Sequence, residues 1–395
     1  MKTKSKRILV LPSWYPPDGG YFFKEHSEAI SRQGWEVDVL VNRLVGARKL
    51  LDAGIAALKG WREGEENGLR VVRTSTVKLP GNEKLNIERW SRKTLAAYQR
   101  YEKAHGRPDL ILAHSVSWAG YAASLIRESS AVPYVVVEHR SYFVWSTPEA
   151  RAFVKDYHLP FYEKAYRDST RVVPVAESLL AGLRALMPWI DEKVQVIPNM
   201  IREDMFLPPE KEPGRIPFVF FWAGRLEHVK GIDVLLDAVK ELDRQSIGEF
   251  CVRLAGKGSL REALEQQARD LGVEDRVHFL GRIDRKAMQE EMQRASCFVL
   301  PTRYEAFGAV LIEAMATGLP VIATRSGGPD NIVQPENGLL VDVENPEQLA
   351  AAMARIMEHI GDFKSDSIRK HCLDRYGQTR VMTSYDELFR KILDQ

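Results

Sequence analysis

The chain has 395 residues, 45% of them hydrophobic and 28% charged, with 27 glycines and 20 prolines. This composition excludes fibrous, collagen-like and disordered classes, and the length favours two domains, each large enough to bury a core. Basic and acidic residues nearly balance, 56 against 54, so nothing marks the whole chain as a polyanion binder and no nucleic-acid partner is expected. The charge is uneven, however: residues 1–200 hold 30 basic and 22 acidic residues, leaving 26 and 32 for residues 201–395, so the front half is basic.

Residues 1–7 are basic, but the apolar run 8–11 stops at Pro12, too short for a secretory signal and suited to a first β-strand over 7–11. A helix is predicted over 22–33, closed by Gly34. Short β-branched runs predict strands at 36–41, 110–113, 134–137, 172–175 and 194–197. Segment 43–62 mixes apolar and cationic positions; it reads either as a docking helix broken by glycines or as a stretch that lies on an anionic leaflet. Residues 207–217, with four prolines and one glycine, predict a stiff linker.

A second alternating series follows, with strands at 218–223, 251–255, 277–280, 297–300, 320–323 and 338–341 and a further helix over 346–359. Segment 385–393 is amphipathic. No run reaches the ~18 apolar residues of a membrane span. Cys251, Cys297 and Cys372 are odd in number and outside any C-x-x-C pair, the usage of a reducing compartment, so a cytoplasmic location is expected. The alternation predicts an α/β chain of two tandem Rossmann-like doubly wound domains facing across a cleft: 1–206, a linker at 207–217, 218–378, and a terminal helix at 379–395 free to pack back on the first domain.

Segment 297–320, CFVLPTRYEAFGAVLIEAMATGLP, reads as a strand, a loop and a helix carrying Glu305 and Glu313. Eight helical steps rise ~12 Å, too far to share a proton or a metal, so the two carboxylates touch different parts of a long ligand or none. Gly308 falls where the loop becomes a helix, and the free N–H groups of Gly308, Ala309 and Val310 suit a phosphate. In FVFFWAGRLEHVKG, 218–231, an apolar strand delivers Arg225 to the carboxyl edge of its sheet, with Lys230 one loop further on. That spacing would let both cations grip one diphosphate. LAGKGSL at 254–260 and FLGRI at 279–283 add glycine-softened loops at the same edge. Singly, each motif has a plain alternative: Glu305 as a helix cap, Glu313 as a solvated face residue, and Arg225 and Lys230 as surface cations.

Jointly, these motifs closely resemble the group 1, or family 4, retaining glycosyltransferases of the GT-B fold, over essentially all of 218–350. The likeness continues through SWYPPDGGYFFKE at 13–25, PDLI at 108–111, VEH at 137–139 and VIPN at 196–199. The chain departs from the family pattern at Asn331, often Glu, and at Met200, often Gly. The resemblance implies a front domain that binds the acceptor and a second domain that binds a nucleotide sugar, with UDP or GDP as the nucleotide. It implies that Arg225 and Lys230 hold the donor diphosphate, that Glu305 meets the donor sugar and that Glu313 accepts from the ribose. Gly256, Arg282 and Ile283 would line the nucleotide, Phe307 and Gly308 would belong to the donor loop, Gly19 and Gly20 would close on the phosphates, and His139 would stand near the anomeric carbon.

The expected activity is a metal-independent hexosyl or related transfer to a saccharide or lipid-linked saccharide, in cell-surface polysaccharide or glycan synthesis, with peripheral contact to an anionic membrane allowed. The chain has no Asp-x-Asp pair, and none of its nine histidines falls in an H-x2-H or H-x3-H spacing, so neither metal nor cofactor is expected. No front-domain carboxylate declares itself as a nucleophile, which favours front-face attack with the leaving phosphate as base. The alternatives are a catalytically silent nucleotide-sugar-binding module and a dinucleotide oxidoreductase; the lack of G-x-G-x-x-G over 12–20 disfavours the latter.

Overall fold

The computed structural model describes residues 6–46, 60–144, 146–210 and 217–394. Among them a first sheet is built from β1 (Arg7–Pro12), β2 (Glu36–Val45), β3 (Arg62–Glu66), β4 (Leu69–Val77), β5 (Leu110–His114), β6 (Tyr134–Glu138) and β7 (Arg171–Pro174). Their order is β3-β4-β2-β1-β5-β6-β7, parallel throughout except for β3, which runs antiparallel to β4. A second, all-parallel sheet takes β8 (Phe218–Ala223), β9 (Phe250–Ala255), β10 (Val277–Gly281), β11 (Cys297–Leu300), β12 (Val321–Thr324) and β13 (Gly338–Val341) in the order β10-β9-β8-β11-β12-β13. The central strands β5, β6 and β11 are buried at every residue, which is why they read as unbroken apolar runs: helices cover both faces. Each sheet reverses its strand order once, between β1 and β5 and between β8 and β11. Ligands of open α/β sheets lie outside the carboxyl ends of the strands at such a reversal.

The strand predicted at 194–197 is reduced to a single bridge, Val194 to Val172. Conversely, β3 and β4 lie where no element was predicted. They are joined by Asn67 and Gly68, both at positive φ (51° and 79°), the backbone of a two-residue hairpin turn. β3, REGEE, carries no apolar residue, so no alternation announces it. Of segment 43–62, residues 43–45 complete β2, with Arg43 ion-paired to Asp18, Arg62 opens β3, and 47–59 lie outside the described residues, as do 211–216 of the linker.

The last helix, Gln378–Leu393, lies on the front layer. Trp35 Nε1 donates to Asp386 at 3.0 Å, Phe389 stands edge-on to Trp35, and Tyr385 sits 4.5 Å from the His26 ring. The helix before it, Ser365–Tyr376, packs instead on the helix Ala309–Ala316 behind the second sheet. The chain therefore crosses between layers at Gly377, which is bridged to Ile201.

Candidate active site

At the second sheet, the loops leaving β8 and β9 cross in contact. A Cβ on Gly256 would lie 1.8 Å from the Gly224 carbonyl oxygen, and the Leu226 N–H donates to Lys257 O at 3.0 Å. Only glycine fits there. These loops wall a cavity of about 520 Å³ lined in part by Arg225, Gly256, Arg282, Ile283, Val310 and Glu313. An adjoining cavity of about 270 Å³ runs from Glu313 and Ala309 to Phe22, His139 and Asn199 of the front layer. The two share Glu313 and Arg285 as walls, so they adjoin and together make one channel-like cleft between the two sheet edges.

Two helix starts meet at this channel. Gly308, at φ 93°, caps Ala309–Ala316, and Gly20, at φ 71°, caps Tyr21–Arg32; neither cap carries a side-chain acceptor, so first-turn N–H groups stay open. Glu305 is not in the helix, as the sequence suggested. The left-handed Gly308 stops the helix from extending backward, and Glu305 sits in the strand-to-helix loop, its N–H donating to Ser326 O. The carboxylate of Glu305 takes the Lys230 ammonium at 2.7 Å and the Ala306 N–H at 3.1 Å. Burial would raise its pKa, but Lys230 and the main-chain N–H groups of Phe307 and Ala306 outweigh it and hold the carboxyl below its ordinary range.

Arg225 and Lys230, read together in the sequence, take different partners. The Arg225 side chain is 72% exposed and pairs with Glu227, while Lys230 turns inward to Glu305. Phe307 packs edge-on to Tyr376 at 5.6 Å, among buried residues rather than on the channel wall.

On the front edge His139 belongs to a chain of three imidazoles. Its Nε2 lies 3.0 Å from His114 Nδ1, and His114 Nε2 lies 3.5 Å from His26 Nδ1. Burial pushes His139 and His26 down to about 3, and His114 well below its usual value, so all three are neutral. Just before them, Glu138 is fully buried and accepts from the N–H groups of Val116, His139 and Arg140 and from the Tyr166 hydroxyl, which fixes the backbone that presents His139.

Sequence reasoning missed Arg285, which reaches Glu25 of the front layer at 3.2 Å and Glu313 at 3.6 Å. Burial, only partly offset by Arg285 and reinforced by Glu25, raises the Glu313 carboxyl to about 7. It also missed His26 and His114. The available signal was a polar residue closing the buried strand β5. Among the described residues no group of three or more His, Cys, Asp or Glu is placed to hold a metal, and no helix is long and apolar enough to cross a membrane.

Comparison with known proteins places this geometry. The family model described as Glycosyl transferases group 1 matches residues 208–367, and that of the Glycosyl transferase 4-like domain matches residues 20–200. A D-inositol 3-phosphate glycosyltransferase of Corynebacterium jeikeium is 28% identical over 372 residues, 85% of this chain and 82% of that protein. The chain spans 38 to 66% of the length of the first four curated relatives that it matches. Among solved structures, sucrose-phosphate synthase of Thermosynechococcus elongatus superposes with a TM-score of 0.81 at 21% identity, over 98% of this chain and 100% of that one. HepE of Anabaena, in complex with UDP, gives 0.74 at 20% identity, with the same coverage.

Proposed function

Because the chain belongs to the group 1, family 4 glycosyltransferases of the GT-B fold, we propose that it is a retaining transferase. It moves a hexose or related sugar from a UDP- or GDP-sugar to a saccharide or lipid-linked saccharide acceptor, in cell-surface polysaccharide or glycan synthesis. The observation that carries this reading is the channel itself. It lies at the carboxyl edges of both sheets and sets His139, the open helix start at Ala309 and the Glu313 carboxylate on the walls of two adjoining cavities.

Each part has a task. The first-turn N–H groups of Ala309 and Val310 take the diphosphate, and Lys230, held by Glu305, supplies the cation that stabilises charge on the departing phosphate. Glu305 also meets hydroxyls of the sugar, and Glu313 accepts from the ribose. Arg225, on an exposed side chain, swings in once a diphosphate is there to pair with. The acceptor attacks from the face that the phosphate leaves, and that phosphate takes its proton, so no divalent ion and no enzyme nucleophile is required. Release of nucleoside diphosphate across a panel of sugar nucleotides tests the function; a covalently trapped glycosyl-enzyme would refute the front-face course.

For the acceptor side, a groove of about 700 Å³ on the front domain is lined by Arg89, Arg92, Lys93 and Arg100 of the helix Glu83–His105, with no acid among its described lining residues. A basic face of this kind supports peripheral contact with an anionic leaflet from the cytoplasmic side. Co-sedimentation with vesicles containing phosphatidylglycerol should fall with added salt; no co-sedimentation even at low salt ends the membrane reading.

A further inference from the structure

Arg140 follows His139 on the loop that leaves β6 and is half-buried. Its guanidinium lies against two aromatic faces, 5.3 Å from the centroid of Trp14 and 5.4 Å from that of Tyr142. Its Nε is buried with no hydrogen-bond acceptor, and among the described residues the guanidinium has no ion pair. Glu138, two residues before it, acts on the guanidinium only through space: it makes no direct ion pair with it, and its two carboxylate oxygens accept four hydrogen bonds, from three main-chain N–H groups and Tyr166. The histidines beside it are neutral and offer no charge of either sign.

A guanidinium with a buried donor left unfilled is unfavourable unless something completes it, and its planar fork matches an oxyanion. The diphosphate has its own cation in Lys230 and its own open helix start at Ala309, both in the second domain. Arg140 stands in the front domain, between the loops that follow β1 and β6. We propose that Arg140 is the oxyanion-binding residue of the acceptor subsite, so that the sugar acceptor carries a phosphate or carboxylate group. This rests on the transferase reading and deepens it. The aromatic faces of Trp14 and Tyr142 hold the guanidinium in plane while the subsite awaits its anion.

The test is isothermal titration of the full chain, saturated with UDP or GDP, using inorganic phosphate as the probe. Saturable phosphate binding is expected, weakened about tenfold or more in Arg140→Gln and about threefold in Arg140→Lys, which keeps the charge and loses the fork. Absence of saturable binding to the nucleotide-saturated wild type overturns the proposal, as does unchanged affinity in Arg140→Gln. If Arg140→Gln does not fold, unchanged affinity in Arg140→Lys does the same. Phosphate binding that the nucleotide abolishes would assign the anion to the donor diphosphate and overturn the acceptor assignment alone. If neither UDP nor GDP binds, the transferase reading itself falls, and the acceptor assignment with it.

Discussion

Lys230 and Glu305 form a pair whose side chains are only 21% and 16% exposed. Breaking such a pair leaves one charge buried without its partner, so Lys230→Ala removes a transition-state cation and also disturbs Glu305. The expected cost is about 3 kcal/mol in kcat/KM, roughly a hundredfold, by analogy with the loss of one charge-stabilising donor. Unchanged steady-state kinetics would remove Lys230 from the site. Glu313 supplies a pH test. A ribose hydroxyl donates more strongly to an ionised carboxylate than to a neutral carboxyl, and with the carboxyl at about 7 the ionised form is lost as pH falls through neutrality. Nucleotide-sugar affinity should therefore rise about tenfold from pH 6 to pH 8, and Glu313→Gln should flatten the profile. A sugar nucleotide is the probe of choice because its diester diphosphate stays fully ionised over that range.

The imidazole chain gives a third residue-level test. Two tautomer arrangements satisfy both ring contacts, but one of them leaves a buried N–H on His26 Nε2, which has no partner. An orphaned donor is rarer than an orphaned lone pair. The favoured arrangement puts the proton of His139 on Nδ1, facing Asn199, whose buried Oδ1 is otherwise unfilled. Nitrogen chemical shifts of His139 should report the Nδ1–H form. That form should persist in His114→Asn, which keeps a donor near Nδ1; in His114→Leu the contact to His139 Nε2 is lost, and kcat should drop more than KM rises. A His139 protonated on Nε2 in the wild type contradicts the argument.

At the scale of the element, the loop after β1 depends on Gly20. A Cβ there would lie 2.3 Å from the Trp14 carbonyl oxygen at a φ that side chains resist. Gly20→Ala should lower stability by roughly 1–3 kcal/mol and displace the helix start, read as a drop in the thermal midpoint and a weaker nucleotide affinity. Loops of this kind were legible in the sequence because a glycine at the end of an apolar run has few other uses. So were the central strands, since burial on both faces makes the run itself the signal. The hairpin of β3 and β4 was not: REGEE has no apolar side, and its one mark is the Asn67–Gly68 turn. Val194 to Ile197 has the composition of a strand but finds only one bridge beside β7. Glu305 was misplaced onto a helix because residue spacing alone does not reveal that Gly308 turns left-handed.

The whole molecule is arranged so that the carboxyl edges of two sheets face one channel, and contacts between distant residues decide what that channel holds. His26, His114 and His139 come from a helix and two strand ends, and Arg285 joins Glu25 to Glu313 across the layers. No local pattern encodes such encounters, whereas the donor loops, each contiguous in sequence, were readable once taken together. The proposed division of labour, with cations and helix amides standing in for a metal, predicts that a chelator leaves turnover intact. Strict dependence on a divalent ion would count against it. The most direct measurement is a crystal structure of the chain with UDP or GDP. The account predicts the diphosphate at the Ala309 and Val310 amides with Lys230 beside it, and the ribose on Glu313. A nucleotide lodged elsewhere, with these groups facing solvent, would contradict it.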